Sequence, residues 1–284
     1  MSALGPGLRI PARFSRQDLT RPPRRWHDAT TRLLDFALIT YAVEPATLAA
    51  LLPPGMTPDV YTLDSGRQVA FVSAVPFRDA DFHFHFAPWM REAMGQTNYR
   101  AYIRYRGRRA VWFFGTTLTG MWRWVPRHLW RLPWHHATMG FDTAWEGGHC
   151  EWYRMVARSE WGPAALELRG LDEPMGRVDG FADAEETLVV LTHPLTGYYY
   201  RRDQTVGSYG VWHDQLRPWR MEVQLARFEV FERLGLIEPE QPPHSAVALP
   251  ATQFVIHLPP ARLLEHPSAD AEVSARQRLL QRVR

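Results

Sequence analysis

Between Gln96 and Thr119 the chain alternates with a period of two, which leaves little choice of local structure. Gln96, Asn98, Arg100, Tyr102 and Arg104 fall on one face of an extended strand. Thr97, Tyr99, Ala101, Ile103 and Tyr105 fall on the other, because successive strand side chains point to opposite faces. Gly107, between Arg106 and Arg108, reads as the turn, and the aromatic run Ala110–Leu118 as a buried partner strand. A solvated strand face usually carries Thr, Glu or Lys. This one carries amide, guanidinium and phenol groups suited to directed hydrogen bonds, and the only asparagine in the chain sits within it. Either the row faces water, or it lines a cavity. A barrel would accommodate the second case, with the polar row inward and the apolar face packed outward under helices.

The rest of the chain punctuates into short strands with few helices. Leu33–Val43 and Val69–Phe77 read as strands, with a short helix opening at Glu44-Pro45 between them and Pro53-Pro54-Gly55 ending it. Asp79–Met94 reads as an aromatic, histidine-rich loop. His136–Trp145 and His149–Ser159 form a hairpin turning at Glu146-Gly147-Gly148. Ala164–Leu168, Tyr198–Arg202, Val206–His213 and Met221–Phe231 are further strands. Asp183–Leu191 suits a helix with Asp183 as N-cap and Glu186 three residues on. Beyond Gly235 the pattern weakens to a lone strand over Gln253–Leu258 and a terminal helix over Ser268–Arg284. The expected organisation is a basic, proline-containing tail over 1–30, one domain over 31–235 and a C-terminal extension over 236–284. The expected class is α+β, a mainly antiparallel curved or barrel-like sheet with a few short helices.

Composition excludes several functions. All 33 basic residues are arginine, so no side-chain amine is present to form a Schiff base. The net charge of +3 is spread thinly, whereas nucleic-acid binding favours a clustered basic stripe, so no nucleic acid is expected. One cysteine, Cys150, allows no internal disulfide. No apolar run is long enough to span a bilayer and the N-terminus lacks a signal-like core, so a cytoplasmic location is expected. Sheet edges rich in aromatics leave homo-oligomerisation open. Nucleotide-binding glycine motifs, H-E-x-x-H and G-x-S-x-G are all missing, and no cofactor is called for.

Two further features carry chemistry. His83 and His85 share a strand face in FHFHF and, with His136, offer imidazoles for a metal. No nearby carboxylate or cysteine completes such a set, and alternating Phe-His in a loop is more often packing. In the segment 122–134, Arg123, Arg127 and Arg131 recur every four residues among tryptophans. That segment either docks on a partner or membrane surface, or packs Trp122, Leu129 and Trp130 into the core beneath arginine stems.

The order of several segments resembles the YqjF-like family, a domain of unknown function (2071) in the acetoacetate decarboxylase-like superfamily. The segments are EPATLAALLPPGM (Glu44–Met56), VAFVSAVPFR (Val69–Arg78), GQTNYRAYIRYRGRRAVWFF (Gly95–Phe114), LPWHHATM (Leu132–Met139) and ETLVVLTHPLTGYYYR (Glu186–Arg201). The resemblance implies one α+β domain around a barrel-like antiparallel sheet with a central cavity. It supplies no activity. Acetoacetate decarboxylase works through a Schiff-base lysine, which this chain cannot provide. Gln96 stands where the family usually has an acidic residue, and His193-Pro194 where it more often shows a charged pair.

These readings give three expectations. The first is a small anionic or carbonyl-bearing ligand in a sheet cavity, held by Gln96, Asn98, Arg100, Tyr102 and Arg104, with His136 as proton carrier if there is catalysis. The second is a non-catalytic interaction protein that docks through segment 122–134. The third is a metalloenzyme using His83, His85 and His136.

Overall fold

A computed structural model describes residues 10–120, 133–201, 203 and 205–263. The segment 121–132, which holds most of the Trp/Arg motif, and the expected terminal helix lie outside them. The strands are β1 (Ala29–Val43), β2 (Met56–Pro58), β3 (Val60–Thr62), β4 (Gln68–Phe84), β5 (Glu92–Tyr105), β6 (Arg108–Leu118) and β7 (Trp134–His136). They continue as β8 (Thr138–Glu146), β9 (His149–Arg158), β10 (Ala164–Pro174), β11 (Thr196–Tyr200), β12 (Val206–His213), β13 (Trp219–Phe228) and β14 (Ser245–Arg262). The helices are α1 (Arg16–Leu19), α2 (Pro45–Ala49), α3 (Ala184–Thr192) and α4 (Glu229–Arg233).

Seven strands close a barrel in the order β1-β4-β5-β6-β11-β12-β14, and β14 pairs back onto β1. Every junction is antiparallel except β6–β11, where Gly197 to Tyr199 run parallel to Val111 to Phe113. The β5–β6 hairpin turns where expected. Arg106 (φ 50) and Gly107 (φ 75) are both left-handed, as a two-residue turn matched to strand twist requires.

The alternation on β5 separates two cores. Tyr99, Ala101 and Ile103 point outward and are completely buried, and the Tyr99 ring meets Trp161, Phe228 and Phe231 edge-on. A second layer covers them: β8, β9, β10 and β13 form a sheet that joins the barrel through a short β13–β14 pairing. The outer face therefore packs mainly under a sheet, where helices were expected. This explains why β4 is buried almost continuously from Val69 to Phe77, with one face in the barrel and the other against the second layer.

A bulge in β1 locks the layers together. Asp35 adopts φ 49, a left-handed conformation that aspartate tolerates better than most residues, where the β1–β4 register slips. Its buried carboxylate accepts from Thr143 Oγ1 (2.8 Å) and Trp145 Nε1 (2.8 Å) of β8 and pairs with Arg78 of β4. Tyr153 of β9 donates to the Asp35 carbonyl at 2.9 Å.

Three sequence boundaries move. The expected loop 79–94 is largely strand, since β4 runs to Phe84 and β5 begins at Glu92. Within the segment set apart as a C-terminal extension, β14 pairs with β1 along eleven residues and closes the barrel. The described part of the N-terminal tail is docked. Ala12 N donates to buried Glu186 Oε1 at 3.0 Å, and Arg13 binds Asp183 through both oxygens. Asp183 also caps α3, accepting from Glu186 N at 2.9 Å.

Candidate functional site: the barrel cavity

Inside the barrel lies a cavity of about 140 Å³. Gln96, Asn98 and Arg100 line it from β5, opposite Phe254, Ile256 and Leu258 of β14. Of the five residues singled out on this strand, these three share the cavity.

Arg100 sits at the floor. One Nη donates to the Leu191 carbonyl at 2.9 Å, near the C-terminal end of α3, where helix carbonyls lack intrahelical partners. Its Nε is buried with no hydrogen-bond partner, and no carboxylate pairs with it among the described residues. Tyr102 holds it there. The Tyr102 hydroxyl donates to the same carbonyl at 2.9 Å and lies 2.9 Å from Ser73 Oγ, while the guanidinium rests over its ring at 5.5 Å. Tyr102 is thus under the floor rather than in the cavity wall. On its far side is a second cleft of about 280 Å³, larger but bordered by charges that already have partners. Arg104 is bound to one of those charges: its Nε donates to Asp59 Oδ1 at 2.6 Å, and Arg109 and Tyr61 bind the other oxygen.

Above Arg100 the two amides form a chain. Gln96 Nε2 donates to Asn98 Oδ1 at 2.9 Å and Thr116 Oγ1 donates to the same oxygen at 2.7 Å. Two donors on one oxygen fix the orientation of the amide and leave Nδ2 as a donor for whatever fills the cavity.

Two ionisable groups that the sequence reading missed also line the cavity, as do Thr192 and Tyr209. Asp79, 4% exposed, accepts from Thr31 Oγ1 at 2.5 Å. Burial raises its pKa from 3.8 to about 7; the Thr31 bond opposes this, and the Glu92 charge adds to it. His213, 1% exposed, is stacked on Phe254 at 4.3 Å with its Nδ1 2.7 Å from the Asp214 carbonyl. Burial lowers its pKa to about 3, with His193 and Arg100 pushing the same way, so the ring is neutral at pH 7. Asp79 was hidden in a stretch, RDADFHFHF, that resembled a loop. His213 ends a strand whose alternation is interrupted by Gly207 and Gly210.

The structure does not bring His136 to this site. It is exposed on β7, and its backbone carbonyl accepts from Ser159 Oγ at 2.7 Å. Trp134, two residues earlier, lines the cavity instead. His83 and His85 do not assemble with it either. His85 uses both ring nitrogens on Thr30 and the Arg25 carbonyl, and His83 bonds the Asp81 carbonyl. Among the described residues no three His, Cys, Asp or Glu side chains converge as metal ligands. Cys150 is buried beside Asp35, which together with burial pushes its thiol up to about 12, far from a nucleophile. No helix among the described residues is long and apolar enough to cross a membrane.

Known structures share this architecture. The enduracididine biosynthesis enzyme MppR, solved with pyruvate, superposes with a TM-score of 0.55 at 11% identity, over 89% of this chain and 98% of that one. Acetoacetate decarboxylase from Legionella pneumophila gives 0.53 at 15%, over 88% and 95%. An acetoacetate decarboxylase-like enzyme from Sphingomonas wittichii gives 0.54 at 12%, over 83% and 92%. At such identities the likeness establishes the fold alone. A search of curated proteins finds no match. Residues 30–252 match the family described as an uncharacterized conserved protein, domain of unknown function 2071. The barrel with its second sheet and the match over most of its length lead to one assignment: the chain belongs to the DUF2071 family, within the acetoacetate decarboxylase-like fold.

Proposed function

We propose that the chain binds a small anionic or carbonyl-bearing molecule inside the barrel, with a negatively charged oxygen on Arg100. The observation that carries this reading is Arg100 itself, a guanidinium in a cavity with a bare Nε and no paired carboxylate among the described residues. An uncompensated cation in a confined space is costly, and a bound anion removes that cost. The forked donors of a guanidinium suit a carboxylate or an enolate. Asn98 Nδ2 supplies a second donor and Gln96 fixes its direction. Tyr102, expected among the ligand contacts, becomes a positioning residue, and Arg104 is committed to Asp59. That a fold neighbour, MppR, is solved in complex with pyruvate, a small acid, supports this reading.

Any turnover would proceed without a side-chain Schiff base, because these 284 residues contain no lysine. Charge developing on a substrate oxygen would be held by Arg100 and Asn98, donors already in place. Asp79 takes over the proton-carrying role first given to His136, since it faces the cavity and exchanges its proton near neutral pH.

Thermal unfolding with a panel of small carboxylates and ketones tests the binding reading. At a hundredfold excess over Kd, a ligand should stabilise the wild type by about 2.7 kcal/mol, roughly 5 °C or more for a chain this size. Arg100→Ala should lose that shift. Equal stabilisation of both proteins by every ligand found would end the proposal.

A further inference from the structure

We infer that the ligand is a monocarboxylate whose apolar body is about the size of an aromatic ring, in preference to a two- or three-carbon acid. The inference rests on the reading of Arg100 given above and adds what the remaining walls select. Three observations carry it: the chemistry of the walls, the size of the space and the distribution of charge.

Apart from the polar groups already named and the side chains of Thr192 and Tyr209, the walls are apolar. Val75 and Phe77 face the space from β4, Val111 and Phe113 from β6, and Phe254 and Ile256 from β14. An acid of two or three carbons on Arg100 would leave the cavity-facing side of these rings and branched side chains uncovered. The cavity is also elongated. Arg100 and Met94 both line it from β5, six positions apart, which is about 20 Å of strand or roughly 15 Å along a barrel axis with ordinary tilt.

Volume sets the upper limit. A cavity of about 140 Å³ is close to the ~150 Å³ apolar cavity known to accept benzene, and far too small for a long-chain fatty acid. The body that fits has about six to eight carbons, as a ring or a short chain.

Charge sets the number of carboxylates. Arg100 is the only arginine among the described lining residues, and His213 is neutral at pH 7. At the opposite end of the β5 row lies Asp79, with Glu92 close enough to raise its pKa. A second carboxylate would find no second cation among the described lining residues, and one long enough to reach the far end would meet acids there, so a dicarboxylate is disfavoured.

Calorimetric titration of the full chain at pH 7.5 tests this, with acetate, pyruvate, hexanoate, phenylacetate, succinate and phenylacetamide as probes. Phenylacetate and hexanoate should bind at least tenfold more tightly than acetate or pyruvate, following about fourfold per buried methylene. Succinate should gain nothing over acetate, and phenylacetamide should bind at least tenfold more weakly than phenylacetate. Val75→Phe, which fills part of the space, should weaken phenylacetate to near the affinity of acetate. Acetate or pyruvate binding as tightly as phenylacetate would overturn the ring-sized body and leave the Arg100 reading standing. Phenylacetamide matching phenylacetate would overturn the carboxylate. Binding by none of the acids would remove both readings.

Discussion

Asp79 and His213 share one cavity yet link stability to pH in opposite directions. Asp79 has a raised pKa, so the folded chain keeps a proton that the unfolded chain releases between pH 3.8 and about 7. Its contribution is fully present below pH 3.8 and is lost as the pH rises through 7. His213 is depressed from 6.5 to about 3, so the folded chain refuses a proton that the unfolded chain takes up; its contribution is lost as the pH falls through that window. Over pH 4 to 6.5 the two slopes offset each other. Asp79→Asn should separate them, because Thr31 can still donate to the amide oxygen. At pH 8 the variant should be more stable than the wild type by up to about 4 kcal/mol, with the advantage shrinking toward pH 4. Urea unfolding at a series of pH values measures this, and an advantage that does not vary with pH would refute the assignment. Half of this site was legible in the sequence. Gln96, Asn98 and Arg100 stood out because a strand's alternation reports a face directly. Asp79 did not, since a buried acid in a polar-aromatic run has no periodic signature. The mate of a histidine such as His136 is a matter of tertiary placement, which spacing does not encode.

At the level of elements, two junctions position the cavity. The first is the floor, where the α3 carbonyl of Leu191 receives both Arg100 and Tyr102. Tyr102→Phe removes the hydroxyl that bridges Ser73 and that carbonyl, and should cost about 1–2 kcal/mol in denaturant unfolding. Affinity for any Arg100-dependent acid should fall severalfold, because the guanidinium loses a fixed neighbour. The second junction is the Asp35 bulge, where one carboxylate serves Arg78, Thr143 and Trp145. Asp35→Ala leaves three donors without their acceptor and should cost about 3 kcal/mol or more, read by the same unfolding measurement. A cost below 0.5 kcal/mol would show that the second sheet does not depend on this link. The strands themselves were mostly evident from their aromatic and β-branched runs. The bulge was not, because an aspartate inside an apolar strand reads as an interruption until its partners on β8 are seen.

Across the whole molecule, closure of the barrel depends on the strand that sequence periodicity showed least clearly. β14 is 18 residues long and pairs with β1, β12 and β13, yet prolines and mixed polarity blur its alternation. Serving different neighbours along its length, it has no single buried face to advertise. A chain ending at residue 244 would leave open edges on β1 and β12 and should show no cooperative unfolding transition. Closure also creates the space in which Arg100, Asn98 and an apolar wall line one cavity. The most direct test of that arrangement is a crystal structure of the wild-type chain grown with phenylacetate. The expected result is a carboxylate about 2.7–2.9 Å from the Arg100 guanidinium, with the ring between Val75 and Phe113. Phenylacetate bound only on the outer surface, or a cavity filled by its own side chains, would contradict it.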